Sequence, residues 1–186
     1  MKKIMFNDKY SLTQAVLDGR KTQTRRTCRE RYWAHSDIIN AENGIFHFEI
    51  PRYKEGEVVA IAQSYGDCGN MPDYELDEDG YPIMPKRSGF FNKMFVRADL
   101  MPHHIRITNI KIERLQNISD EDCFKEGIFK WDAGQKDIPF YSFHNADIPD
   151  YNDPRDAFAE LIDKVSGKGT WKSNPYVFVY EFELVH

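Results

Sequence analysis

The sequence predicts an α+β domain in which several strands form a small β-barrel or a curled sheet, flanked by short helices. Three segments have the β-branched and aromatic content of strands, namely residues 56–65, 104–115 and 176–185. Capping signatures precede three short amphipathic stretches. The chain has 186 residues, 41% hydrophobic and 14% aromatic, which is enough for one domain, 1–186, with a buried core.

The N-terminal part predicts a helix, a glycine turn and a short basic strand in that order. Ser11 is a candidate N-cap with Gln14 as its capping-box partner, and Gly19 is placed to end the helix. Residues 21–26 then alternate in the manner of a strand. A buried strand is expected within residues 56–65, after a turn.

The strand predicted at residues 104–115 follows a short predicted strand and is itself irregular. Residues 93–96 are expected to form the short strand. The alternation of residues 104–115 changes phase between Ile107 and Ile110, which predicts a β-bulge there.

Two further helices and a final strand are predicted in the C-terminal part. Ser119 is the candidate N-cap of a short helix that Gly127 ends, and Asp153 followed by proline begins a longer one. Residues 176–185 predict the last strand. Residues 66–89 and 130–152 are expected to be long loops or insertions, because they have little periodicity.

Composition excludes several classes of protein. No apolar run approaches the roughly 18 residues of a membrane helix, and no signal-peptide pattern is present, so a cytoplasmic protein without a membrane partner is expected. Cys28, Cys68 and Cys123 are odd in number and widely spaced, which argues against a disulfide framework or a structural zinc site. His103 and His104 have no third ligand at a helpful spacing. No metal or cofactor is expected.

The charge is unevenly distributed along the chain. The whole sequence carries 25 Lys and Arg against 30 Asp and Glu, a formal net charge of -5. Nine of those basic residues and only four of the acidic ones lie in the first forty positions. A basic segment on an acidic body favours a local anion site over general nucleic-acid coating, although a solvated charged loop would have the same composition.

The most distinctive motif is GRKTQTRR at residues 19–26. Arginines offer forked donors and lysine a compact charge, which suit a phosphate or a polarised carbonyl, and a partly desolvated lysine can act as a base. The spacing of a P-loop is absent, and a surface turn with solvated arginines is the alternative interpretation. The candidate residues of this motif are Arg20, Lys21, Thr22, Thr24, Arg25 and Arg26.

This motif, following a short amphipathic helix, resembles the signature of the ASCH domain, a member of the PUA-like superfamily. Three further segments match in the expected order: residues 51–65, residues 92–128 and the ending GTWKSNPYVFVYEFELV, which resemble segments of phage and prophage ASCH proteins of bacteria. The resemblance implies a PUA-like β-barrel with flanking helices, a cleft lined by GxKTxTxR, and an association with RNA.

One branch of the ASCH family consists of amidohydrolases that convert N4-acetylcytidine to cytidine and acetate. The resemblance places their catalytic lysine and threonine on Lys21 and Thr24, and their glutamate on Glu126. Thr24 would attack the acetyl carbonyl, Lys21 would accept its proton, and Glu126 would orient the lysine or protonate the leaving amine. On an ideal strand Lys21 and Thr24 point to opposite faces, so this mechanism requires Lys21 to lie in the preceding turn.

Four more residues are candidate ligand contacts of the same pocket. Tyr65 and Trp171 would stack on a base, with packing in the barrel as the alternative. Gln63 stands where phage relatives usually have a glutamate, which removes one carboxylate from the pocket. Asn174 would either hydrogen-bond a ligand through its amide or turn the chain into the last strand.

The sequence therefore predicts an ASCH domain that binds RNA or a modified nucleoside or nucleotide. Amidohydrolase activity on acylated nucleosides is the first alternative, and a ribonuclease or a module that binds a host protein is the second. The sequence leaves the ligand and the oligomeric state open.

Overall fold

The long antiparallel pair formed by His104–Arg114 and Tyr176–Val185 is the centre of the fold. A computed structural model describes residues 1–28, 38–41, 44–47, 50–69, 78–80, 89–131, 139–143 and 151–185, with only the backbone described for 38–41 and 44–47. The strands are β1 (Lys3–Ile4), β2 (Gln23–Thr27), β3 (Ile38–Ala41), β4 (Gly44–His47), β5 (Val58–Ile61), β6 (His104–Arg114), β7 (Phe129–Trp131), β8 (Phe140–Ser142) and β9 (Tyr176–Val185). The helices are α1 (Leu12–Leu17), α2 (Tyr65–Cys68), α3 (Asp120–Lys125), α4 (Pro154–Ser166) and α5 (Thr170–Ser173).

Five of these strands form one mixed sheet in the order β1-β5-β6-β9-β2. Only β1 and β5 are parallel, and the other neighbours are antiparallel. Two separate hairpins pair β3 with β4 and β7 with β8. The α+β class predicted from the sequence is confirmed. Among the described residues β1 and β2 lie at the two edges of the sheet, and its closure into a barrel stays a prediction.

The main hydrophobic core lies between this sheet and the helices α1, α3 and α4. Val16, Cys123, Phe158 and Val179 contribute to it from α1, α3, α4 and β9 respectively, and all four are almost completely buried. Within the described residues, none of the helices is both long and apolar enough to cross a lipid bilayer.

Several of the local predictions are confirmed. The register of β6 against β9 shifts between Ile107 and Asn109, where the bulge was expected. The Ser119 side chain accepts a hydrogen bond from the backbone of Asp122 and caps α3, and Asp153 caps α4 in the same way. Both residues satisfy donors that a helix start leaves unpaired.

One local prediction is confirmed only in position, because Ser11 is the N-cap residue of α1 without a capping bond, and another is wrong. Ser11 precedes α1 but has a left-handed backbone, with φ of 54°, and its side chain makes no capping bond. The reason is that Ser11 also ends a short 3-10 turn over Asp8–Tyr10, which fixes its backbone. Residues 93–96 contain a 3-10 turn at Lys93–Phe95 instead of a strand: the Asn92 side chain accepts the backbone N–H of Met94 and caps the turn, and the Lys3 side chain donates to the carbonyls of Met94 and Val96.

The two predicted long loops are partly structured. The first contains most of α2, and the second contains β8 and part of β7. Strands of three residues are too short to produce a recognisable alternation, which is why the β7–β8 hairpin was not expected. Residues 70–77, 81–88, 132–138 and 144–150 of these loops lie outside the described residues.

Candidate functional site

An open cleft of about 590 Å³ lies between β2, the segment before α1, the turn that begins at Asn92, and α4; we call it the first cleft. A volume of this size is typical of sites for small organic ligands. The polar residues that line it are Asn7, Asp8, Lys9, Lys21, Thr24, Arg25, Arg26, Thr27, Asn92, Lys93, Glu126 and Ser166. All three members of the predicted catalytic trio are in this set.

Lys21 is buried at the inner end of the GRKTQTRR segment, with 2% of its surface exposed. Its backbone N–H donates to the carbonyl of Ala15 at 2.8 Å, so Lys21 belongs to the turn that ends α1 and precedes the first residue of β2. The side-chain Nζ donates to the Glu126 carboxylate Oε2 at 2.6 Å and to the Glu126 backbone oxygen at 2.7 Å. Burial lowers the pKa of Lys21, and the nearby Arg25 and Arg26 lower it further, whereas Glu126 raises it.

Glu126 reaches Lys21 because α3 ends there. Its backbone N–H continues the helix to the carbonyl of Asp122 at 3.0 Å, and Gly127 then turns the chain with φ of 106°. A Cβ added at Gly127 would lie only 3.3 Å from Leu12 Cδ2, so glycine also allows the close approach of the turn after α3 to Leu12. Glu126 is 4% exposed.

Thr24 lies in β2, paired with Tyr180 of β9, and lines the first cleft. Within the part of the chain that the structure describes, its hydroxyl makes no hydrogen bond to protein, although the residue is buried. Since Lys21 precedes the strand, the alternation of β2 does not force the two side chains apart. Both side chains therefore contribute to one cleft, as the mechanism requires.

Arg25, the next residue of β2, is buried and is surrounded by carboxylates. Its Nη2 donates to Glu113 Oε1 at 2.7 Å and to Asp122 Oδ2 at 3.0 Å, and its Nη1 donates to Glu126 Oε1 at 3.1 Å. Burial lowers the pKa of Arg25, but the three carboxylates outweigh this effect and leave the pKa raised. The arginine is therefore neutralised inside the protein and ties β2 to β6 and α3.

Sequence reasoning did not identify Glu113 and Asp122, the acidic partners of this buried arginine. Asp122 belongs to the acidic run that begins α3, which is a visible signal, but that run was interpreted only as a helix start. Lys93 was also missed: it lines the first cleft and pairs with Asp8 at 2.7 Å. No local pattern marks Lys93 as a site residue.

Arg26 lines the first cleft and also a second one. Its Nη2 donates to the backbone oxygen of Met5 at 2.5 Å, and no carboxylate of the described residues forms an ion pair with it. Burial lowers the pKa of Arg26, against the attraction of Glu126. The second cleft has about 570 Å³, and its lining residues are Lys3, Met5, Arg26, Thr27, Ile50, Arg52, Tyr53, Met94, Phe178 and Tyr180.

The other two candidates of the motif are not among the described residues that line the first cleft. Arg20 is exposed and forms a 3.3 Å ion pair with Asp18. The backbone of Thr22 accepts from Phe182 and donates to the carbonyl of Lys125, both at 2.9 Å, which joins the end of α1 to β9 and α3.

The four remaining candidates also lie apart from the described lining of the first cleft. The Tyr65 ring is buried at the start of α2, and its hydroxyl accepts the backbone N–H of Arg97 at 2.9 Å. Gln63 precedes α2, and its buried Oε1 has no hydrogen-bond partner among the described residues.

Trp171 and Asn174 hold the chain at the start of β9. The Trp171 ring packs edge-on against Phe158, with ring centroids 6.0 Å apart. Asn174 has a left-handed backbone, with φ of 43°, and its Oδ1 accepts the backbone N–H of Gln116 at 2.8 Å. These contacts correspond to the packing and turn roles that were considered as alternatives.

The chain has only weak similarity to known proteins. No family model matches the chain, and no curated protein does. It is similar to a crystal structure of an Enterococcus faecalis protein of the DUF984 family, with a TM-score of 0.40 and 16% identity, over 100% of this chain and 80% of that chain. It is also similar to an ASCH domain from Lactobacillus crispatus, with a TM-score of 0.34 and 12% identity, over 95% of this chain and 72% of that one. Both TM-scores are low, so neither similarity assigns the chain to a family.

Proposed function

We propose that the chain is a single ASCH-type domain whose first cleft hydrolyses the amide of an N4-acylated cytidine-like nucleoside. The observation that carries this proposal is the buried Lys21–Glu126 pair, which lines the same cleft as an unbonded threonine hydroxyl, Thr24. The motif resemblance supplies the substrate class. In the same proposal the five-stranded sheet curls into a PUA-like barrel.

The proton inventory of Lys21 supports a role as general base. A neutral amine has two N–H groups and one lone pair. Both N–H groups are used by Glu126, one on its carboxylate and one on its backbone oxygen. The lone pair is then left for the cleft, and the burial that lowers the pKa of Lys21 favours this neutral form.

The reaction follows from these positions. Thr24 Oγ1 attacks the acyl carbon while its proton moves to the Lys21 lone pair, which gives a tetrahedral intermediate. The resulting ammonium returns the proton to the leaving amine as the C–N bond breaks. Water then attacks the acyl-threonine with Lys21 again as base, releasing the carboxylic acid and restoring Thr24. Glu126 keeps the lysine oriented through both steps.

Arg26 is the group that we assign to the developing oxyanion. It is a guanidinium in the first cleft without a carboxylate ion-pair partner among the described residues. Arg25, in contrast, has three carboxylate partners and no free charge to offer. A donor of this kind is worth about 3–4 kcal/mol of activation free energy.

Binding of RNA without reaction is the second candidate. It is favoured by the cations that remain unpaired near the cleft, Arg26 and the exposed Arg52. It is disfavoured because Lys21 and Arg25 are paired with Glu126 inside the protein, so their charges are not available to RNA phosphates. Affinity for a single-stranded RNA that falls with salt, with a slope near -0.7 per neutralised phosphate, would support binding.

The test is to incubate N4-acetylcytidine with the purified protein and to follow cytidine by chromatography. Lys21→Ala and Thr24→Val should each reduce the rate by about 10²–10⁴-fold, which is the usual contribution of such groups. Lys125→Ala and Thr22→Val are matched controls, because neither residue is among the described lining of the first cleft. Equal rates in all five proteins would exclude the proposed trio, and no turnover in any of them would favour binding.

A further inference from the structure

The second cleft adjoins the first. Met5, Arg26, Thr27 and Met94 line both of them, so the two clefts meet at these residues. The two clefts are therefore adjacent, with these residues as their common border. Arg26 stands at this junction.

The second cleft is positively charged. Lys3, Arg26 and Arg52 line it, and no carboxylate is found among its described lining residues. The first cleft differs, since Lys21 and Arg25 pair with Glu126 and Lys93 pairs with Asp8. Positive groups that share a cleft without counter-charges repel one another and attract an anion.

Lys3 and Arg52 are held in place without an ion-pair partner among the described residues. The Lys3 Nζ donates to the backbone oxygens of Met94 and Val96, both at 2.7 Å, and these acceptors carry no formal charge. The backbone N–H of Arg52 donates to the Tyr180 hydroxyl at 3.1 Å, which anchors the base of its side chain. Within the described residues the Arg52 guanidinium forms no ion pair or hydrogen bond and lies 5.7 Å from the centre of the Tyr53 ring.

The pKa shifts of Lys3 and Arg26 agree with a site whose positive charges have no counter-charge among the described lining residues. The pKa of Lys3 is lowered by burial and by Arg52. The pKa of Arg26 is lowered by burial, and Arg52 contributes to that decrease. An anion between them would relieve this repulsion, and a guanidinium fork matches two oxygens of a phosphate.

We propose that the second cleft binds a phosphate group of the ligand whose base occupies the first cleft, so that nucleotides bind better than free nucleosides. The position of the base rests on the proposed function. The position of the phosphate rests on Lys3 and Arg52, with Arg26 adding charge at the junction. The phosphate can be a 5′- or a 3′-monoester, or the diester of a longer strand.

Binding measured by titration calorimetry tests this proposal without relying on turnover. The probes are cytidine, its 5′-monophosphate, its 3′-monophosphate and inorganic phosphate. We expect one of the nucleotides to bind at least about tenfold more tightly than cytidine, which corresponds to a single charge-assisted bond. Comparison of the two nucleotides identifies which ester the cleft accepts. The advantage should shrink as salt is added, because Arg52 is exposed.

Arg52→Glu and Arg52→Gln should remove most of this advantage and weaken the binding of inorganic phosphate. Lys54→Glu is the matched control, since Lys54 is an exposed cation nearby that is not among the described lining of the second cleft. Equal affinities for cytidine and both nucleotides, or phosphate binding that is indifferent to Arg52, would overturn the proposal. Phosphate binding that depends on Arg52 in a protein that does not hydrolyse N4-acetylcytidine would keep the anion site and reject only the proposed reaction.

Discussion

Lys21 and Glu126 are 105 residues apart in the sequence and are joined by two hydrogen bonds, to the carboxylate at 2.6 Å and to the backbone oxygen at 2.7 Å. Two acceptors from one residue fix the direction of the amine, because rotation about the last side-chain bond would break one of the bonds. Glu126 is itself held by Arg25 at 3.1 Å. The base of the proposed reaction is therefore positioned by a buried network and does not depend on substrate for its orientation.

Replacement of Glu126 by glutamine should change the pH dependence of the reaction. The carboxylate raises the pKa of Lys21, so its removal lowers that pKa. The reaction needs neutral Lys21, and the rise of kcat/KM with pH should therefore move to lower pH in Glu126→Gln. The measurement is a pH–rate profile on N4-acetylcytidine.

Glu121→Gln is the control for this change, because Glu121 is exposed on the same helix. An unshifted profile in Glu126→Gln would mean that Lys21 is not the titrating base. Loss of activity at every pH would mean that Glu126 is needed for more than setting the pKa of Lys21.

Arg25 should matter for stability more than any other cation of the basic segment. Arg25→Met leaves three carboxylates without their shared partner, and removing one side of such a buried network costs about 3–5 kcal/mol. Arg25→Lys should recover only part of this loss, because an ammonium lacks the fork that reaches several carboxylates.

Urea unfolding measures both variants, with Arg20→Met as the control. Arg20 is exposed and has one 3.3 Å ion pair, so its loss should change the free energy of unfolding by less than about 1 kcal/mol. Similar effects at the two positions would contradict the structural role of Arg25.

Gly127→Ala should impair both folding and activity. A non-glycine residue at φ of 106° costs on the order of 1–3 kcal/mol, and the new Cβ would also press on Leu12, which lines the first cleft with Lys21. Gly167→Ala is a close match, since Gly167 has φ of 110° and nothing within 4 Å of an added Cβ. We expect comparable backbone strain in both variants, measured by thermal unfolding, but a fall in kcat only in Gly127→Ala. A fall of kcat in both would point to a general effect of destabilisation.

The three cysteines should differ in reactivity. Cys123 is fully buried under the site, and burial raises its pKa to about 12, while Cys28 is also buried and Cys68 is partly exposed. A thiol reagent at pH 8 should therefore modify one thiol quickly in the native protein and all three in urea. Cys68→Ser should remove the fast reaction, and fast modification of Cys123 would show that α3 opens readily.

The parts of the fold that the sequence predicted correctly are those with a local cause. The cap at Ser119, the cap at Asp153 and the bulge after Ile107 each depend on residues within a few positions. The segment 93–96, where a strand was expected, is instead a turn whose carbonyls bond the side chain of Lys3, about ninety positions away in the chain. The sequence contains no local trace of that contact.

The candidate site likewise has some features that are visible in the sequence and others that depend on residues far apart in the chain. The sequence by itself determined the residue types of the proposed trio and an excess of positive charge in the first forty residues, whereas the structure placed Lys21 in the turn before β2. Only the tertiary structure decided which of those charges remain available. Glu113, Asp122 and Glu126 pair with Arg25 and Lys21, while Arg26 forms no ion pair with a carboxylate of the described residues. The physical reason is that a buried cation must be compensated by neighbours in space, and those neighbours come from β6 and α3, about ninety to one hundred positions further along the chain.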